Sequence, residues 1–267
     1  MSWWGKLVGG TVGFMLGGPL GALAGAVLGH QVDRQQGPPD DGVEDLDRRR
    51  SAFFTATFAV MGHLAKSDGQ VSAAEITMAN RVMDRLDLNP GMREFARDLF
   101  GAGKRADFPM QEVLAQLARE VRSRDLKRMF LEIQVFAAYA DGRVHPAEKS
   151  ILDSICRHLG FTAATLAQVE ALVHAELGRG FSGRDDSHGA ERGGQGASLA
   201  DAYTLLGIDA DVDDQELKRA YRRMMNQHHP DKLVAKGLPE EMVQAATAKT
   251  QEIKGAYERV KAARGMR

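Results

Sequence analysis

The sequence predicts an all-α chain, and three observations lead there. Apolar residues recur at helical spacing from about Asp47 to Leu177, with no period-2 run that reads as a strand. A glycine-striped stretch without charge runs from Leu7 to Gly29. Near the C-terminus, two amphipathic segments flank a short polar turn and read as an antiparallel helical pair. The 267 residues are 43% apolar and 27% charged, ordinary for a folded chain, and the net charge is −1. That balance gives no chain-wide attraction to nucleic acid, so charge-driven binding must come from a local patch. Cys156 is the single cysteine, so no internal disulfide forms, and a structural zinc site is not expected.

The first segment, residues 1–33, is built for lipid. Its 23 uncharged residues, Leu7 to Gly29, rise about 1.5 Å each in a helix, enough for a hydrocarbon core of roughly 30 Å. Trp3, Trp4 and Lys6 stand at its start, where interfacial side chains belong. Gly5, Gly9, Gly13, Gly17, Gly21, Gly25 and Gly29 fall at every fourth position. In water each glycine costs a helix about 1 kcal/mol relative to alanine. In lipid the stripe lets two backbones approach closely, which predicts a homodimer through this span. The small-residue run Ala22, Ala24, Ala26 leaves signal cleavage as the alternative, but the stretch exceeds a usual signal core. Lys6 stands before the span, while Arg34, Arg48, Arg49 and Arg50 follow it. This bias predicts a single-pass inner-membrane protein with a periplasmic N-terminus and a cytoplasmic body.

Residues 34–47, with Gly37-Pro38-Pro39, read as a linker. Residues 48–177 read as a helical domain, with helices expected over 48–66, 72–86, 92–100, 109–121, 125–140, 146–159 and 163–176. Breakers are expected at Asp68-Gly69, Asn89-Pro90-Gly91, Gly101 to Gly103, Asp141-Gly142 and Gly160. The frame D-G-x-V-x-x-x-E occurs twice, from Asp68 to Glu75 and from Asp141 to Glu148. Its four carboxylates are suited to a hard cation, but the loop lacks the alternating ligands of an EF-hand. The simpler reading is a turn followed by a capped helix start, with Ser72 and Glu75 in one copy and His145, Pro146 and Glu148 in the other. No cofactor is expected. On these repeated motifs the segment resembles the TerB family of helical domains, which leaves its ligand open.

Residues 178–197 hold seven glycines among Ser, Arg and Asp, a composition expected to form a flexible linker. Residues 198–267 carry the motifs that bear on function. A short helix ends at Gly207, and Asp213 caps a second on which Leu217, Ala220, Tyr221 and Met224 form one stripe. Lys218, Arg219, Arg222 and Arg223 cover its other side. A third helix, from about Pro239 to Ala263, turns Met242, Ala245, Ala246, Ile253, Ala256 and Tyr257 inward. Between the second and third lies a loop containing His228-His229-Pro230-Asp231-Lys232.

Four strings in order resemble the J-domain family: 202–208, 217–223, 228–232 and 253–258. With the glycine-striped span and TerB-like middle, the chain resembles the DjlA-type membrane-anchored J-domain co-chaperones. The resemblance implies that His229, Pro230 and Asp231 switch on the ATPase of a DnaK-class chaperone, with Lys218, Arg219, Arg222 and Arg223 as the docking face. It implies a link to envelope stress signalling, and no enzymatic activity of the chain's own. Nothing near the tip supplies a nucleophile, which agrees. The competing expectation is a metal- or stress-responsive membrane scaffold acting through the TerB-like part. Thr250 stands where J-domains often bury phenylalanine, so looser packing of the third helix is expected there. No glycine/phenylalanine-rich segment or zinc-binding cysteines follow, and client binding of that kind is not expected.

Overall fold

Every residue from Ala52 to Met61 is buried, so the helix that carries them has neighbours on all sides. This is α1 (Asp41–Ala65). A computed structural model describes residues 18–21, 23, 41–67, 69, 73–139, 143–181 and 198–266. Around α1 pack α3 (Pro90–Gly103), α4 (Met110–Glu120), α5 (Arg124–Ala138) and α6 (Pro146–Leu159). α2 (Ala73–Arg85) and α7 (Ala163–Phe181) lie against α5. The aromatic centre is ordered by geometry: Phe54 stacks on Phe95 at 5.9 Å, and Phe53 meets Phe130 edge-on at 6.3 Å. A polar bond crosses this core, from Gln134 Nε2 to the Thr57 carbonyl at 3.0 Å.

Several element ends differ from the expected ones. α1 begins at Asp41, inside the stretch read as a linker, with Asp45 and Asp47 near its positive end and Asp45 paired to Arg48 at 3.0 Å. α3 runs through Gly101 to Gly103, read as breakers, because two helix backbones meet there. A Cβ on Gly103 would lie 1.8 Å from the Ala59 carbonyl oxygen, and one on Gly62 would lie 2.0 Å from that of Phe100. Glycine is what lets α1 and α3 touch. α7 continues to Phe181, past Gly178 and Gly180, where linker was expected.

Asn89, read as part of a breaker, caps α3, its Oδ1 accepting from Met92 N at 3.0 Å. The start of α6 follows the expected chemistry. Glu148 accepts from His145 N at 2.7 Å, Pro146 opens α6, and Gly160 closes it at φ +75°. Cys156 is buried, and burial pushes its thiol up to about 11, so it stays protonated and unreactive.

The C-terminal module comprises α8 (Leu199–Leu206), α9 (Asp214–His228), α10 (Pro230–Lys236) and α11 (Val243–Ala263), with a 3₁₀ turn at Glu240–Met242. Leu205, Leu206, Leu217, Met224, Ile253 and Val260 make its core. Met242, Ala245 and Ala246, expected inside the module, belong instead to the core of the middle domain. The apolar stripe of α11 is therefore divided between two neighbours. Arg264 fastens the far end, donating to Tyr203 Oη at 2.9 Å, the Val212 carbonyl at 2.7 Å and the Ala210 carbonyl at 3.0 Å. Thr250 donates to the Thr247 carbonyl at 2.8 Å, which satisfies its hydroxyl without filling a phenylalanine's volume.

Candidate functional site

The tip of the module is a kink rather than an open loop. A residue before proline is disfavoured in the α region, so α9 stops at His228 and His229 adopts φ −62°, ψ 122°. Pro230 then opens α10, its ring set for the first helical position. The expected loop between the second and third helices is thus replaced, over residues 230–236, by a short helix ending at Gly237 with φ +110°. Leu233 is buried, and this anchors α10 while Asp231 points to solvent, 89% exposed. His229 is 42% exposed, and its Nδ1 lies 4.0 Å from Asp231 Oδ2 with no hydrogen-bond partner. Lys232 bonds to Asn226 across the kink. The structure therefore sets a half-exposed imidazole and an exposed carboxylate side by side at one corner of the module.

Lys218, Arg219, Arg222 and Arg223 are all exposed on α9, on the face away from Leu217, Ala220 and Met224. Glu216 partly offsets them, 3.6 Å from both Arg219 and Arg223. Tyr221 stacks on Tyr257 at 4.2 Å and stiffens the join to α11. His228, adjacent in sequence to His229, has the opposite fate: it is buried against the middle domain, its Nε2 4.0 Å from Glu132 Oε1. Burial holds its imidazole below the ordinary value.

Of the four carboxylates weighed for a metal, Asp68, Asp141 and the side chain of Glu75 lie outside the described residues. Glu148 is buried and caps α6. Among the described residues no group of three or more possible metal ligands forms. Gly5, Gly9, Gly13, Gly17, Gly25 and Gly29 also lie outside; Gly21 is helical, and neighbouring Leu20 is buried with its N–H donating to Gln116 Oε1 at 2.8 Å. Among the described residues no helix is long and apolar enough to cross a membrane.

Three family models match in order along the chain: the co-chaperone DjlA transmembrane domain at residues 1–50, tellurite resistance protein TerB at 54–171, and the DnaJ domain at 201–264. The chain is 43% identical to the co-chaperone protein DjlA of Vibrio vulnificus strain CMCP6, over the full length of both. It is equally 43% identical to that of Vibrio cholerae and 41% to that of Yersinia pestis, again end to end. The chain belongs to the DjlA family. No solved structure matches it. The DjlA family's three-part order, a membrane segment, a TerB domain and a J-domain, is the order seen here, and the two globular parts are helical. In DjlA terms the kinked tip lies within the J-domain match, as does the basic face of α9. What sequence reasoning missed are Arg264, which closes the J-domain, and the face of α10 and α11 that meets the TerB domain. Arg264 left no local signal because its partners, the Val212 and Ala210 carbonyls and the Tyr203 and Asp214 side chains, lie some 50 to 61 positions away in the chain.

Proposed function

We propose that the protein is a membrane-anchored co-chaperone that stimulates the ATPase of a DnaK-class chaperone, without an active site of its own. The observation that carries this is the exposed corner of His229, Pro230 and Asp231 beside an exposed basic helix face, within a J-domain. Asp231 is placed to accept a charge-assisted bond from a partner's arginine. Pro230 fixes the corner, and His229 supplies a half-exposed ring whose buried Nδ1 has no hydrogen-bond partner. Lys218, Arg219, Arg222 and Arg223 speed encounter with an acidic surface in a salt-dependent way. The membrane segment concentrates the module at the inner membrane, with the body in the cytoplasm, where it serves envelope stress signalling.

The test is turnover of a purified DnaK-class chaperone with and without the protein; no acceleration removes the reading. Replacing Lys218, Arg219, Arg222 and Arg223 together by alanine is expected to raise the concentration for half-maximal stimulation about tenfold or more and to flatten its salt dependence. A salt response like the parent's would show that this face does not dock.

The glycine stripe is proposed to pair two membrane segments. Replacing Gly13, Gly17 and Gly21 by leucine is expected to weaken self-association in a membrane reporter assay, because a leucine side chain holds the backbones apart. Unaltered association would take the stripe out of the interface.

A further inference from the structure

The J-domain rests on the TerB domain along one face. Leu233, Leu238 and Met242 are buried there, and α10 lies against α5. Beside them Ala245 and Ala246 share with Ile133, Phe136 and Val173 a cavity of about 80 Å³. Ion pairs ring this apolar centre. Lys236 Nζ lies 2.5 Å from Asp125 Oδ2, Arg50 Nη2 3.3 Å from Glu240 Oε1, and Arg85 Nη2 3.5 Å from Glu252 Oε1. Gly237 sits so close that a Cβ on it would come 3.0 Å from Arg49 Cβ. An apolar centre with a charged rim is the anatomy of a specific interface.

The contact uses α10, the 3₁₀ turn, the first half of α11, His228 at the end of α9, and α8 where it meets α7. It leaves Asp231 and the basic residues of α9 exposed and His229 half-exposed. We infer that the TerB domain is a cradle for its own J-domain, fixing the tip and basic face in one outward orientation while both stay open to a chaperone. The purpose assigned to the cradle rests on the co-chaperone reading; the docking itself does not. The two bodies belong to one chain and stand only residues 182–197 apart in sequence, which keeps their effective concentration high. A modest interface then stays closed.

The cradle also buries a titratable pair. Facing His228 are Glu132 and Arg128 of α5, Lys249 of α11 and Asp125 at the start of α5. Burial holds the His228 ring low, with Lys249 and Arg128 acting the same way and Glu132 and Asp125 opposing. Burial pushes the Glu132 carboxyl up, but the cationic Lys249 and Arg128 hold it below its ordinary value. Docking lowers the His228 ring below its ordinary value of 6.5, so the undocked ring binds a proton more readily than the docked one. Docking is therefore strongest above that value and weakens as pH falls through it.

The experiment is an electron–electron distance measurement on the full chain in lipid nanodiscs, with spin labels on cysteines at the exposed positions Ser150 and Gln215; buried Cys156 is left unlabelled. One narrow distance at pH 7.5 is expected. Lys236→Glu with Glu252→Arg, which reverses two of the three rim charges on the J-domain side, is expected to broaden the distribution at least twofold. Adding Asp125→Lys and Arg85→Glu is expected to narrow it again. Lowering the pH to 5.5 is expected to broaden the parent's distribution but not that of His228→Gln. A parent as broad as the reversed variant, or no recovery in the fourfold variant, overturns the cradle. Chaperone stimulation, measured on the same samples, reports separately on the co-chaperone reading. A narrow distance without stimulation removes that reading alone, and stimulation with a broad distance removes the cradle alone.

Discussion

Replacing His229 by glutamine is expected to reduce chaperone stimulation to the unstimulated rate while the helical circular dichroism and the unfolding midpoint stay as in the parent. The two halves of this expectation come from one geometry. His229 sits between α9 and α10 with an extended backbone that any residue before proline adopts, so glutamine keeps the kink. Its Nδ1 has no hydrogen-bond partner within the protein, and the ring is 42% exposed, so little folding energy depends on it. α10 is held by Pro230 at its first position and by buried Leu233, neither of which the substitution touches. What is lost is an aromatic ring with two nitrogens, presented 4.0 Å from the Asp231 carboxylate. If the ring is the part a chaperone reads, no other exposed group replaces it. Stimulation equal to the parent's would mean that the corner is not the switch.

Replacing Gly103 by alanine is expected to destabilise the TerB domain by about 3 kcal/mol or more, at the upper end of what overpacking a core costs. The added methyl would fall 1.8 Å from the Ala59 carbonyl oxygen, which belongs to the backbone of the buried stretch Ala52–Met61 of α1 and has no rotamer with which to move away. The two helices must separate, and separation opens the contacts of Phe54 with Phe95. Gly101 is the control two residues earlier in the same helix, because nothing lies within 4 Å of a Cβ placed there. Gly101→Ala is expected to stabilise by about 0.5–1 kcal/mol through helix propensity alone. Denaturant unfolding of the two variants tests the pair. Midpoints shifted in the same direction would show that the close crossing of α1 and α3 is not what Gly103 serves.

These glycines show where sequence reading ran out. Gly101, Ala102 and Gly103 read as a break because glycine lowers helix propensity, yet α3 runs through them. Propensity is a small term, and burial against α1 outweighs it. The helix starts were more legible. Asp213 caps α9 by a bond of 2.6 Å to the Glu216 N–H, as its type and spacing implied, and Asn89 and Ser198, not read as caps, do the same at 3.0 and 3.1 Å. Those bonds are local, and local chemistry is written locally. The corner at His229 was legible for the same reason, although its continuation into α10 was read as loop. Proline marks both a stop and a start, and only the burial of Leu233 decides that a helix follows.

The order of the residues alone determined that the chain is helical, where most helices begin, which side of α9 carries charge, and that His229, Pro230 and Asp231 stand together. Each depends on neighbours within about four positions, the reach of a helical turn. The tertiary structure decided which neighbour covers each apolar stripe. Along α11, Ala245 and Ala246 went to the TerB domain, and Ile253 and Val260 stayed with the J-domain. A 3.6-residue period announces that a face will be covered but carries no address for its cover. The same holds for His228 and His229, chemically identical in the sequence. One is buried beside Glu132 and the other turned toward solvent, because a second domain closes over the first alone.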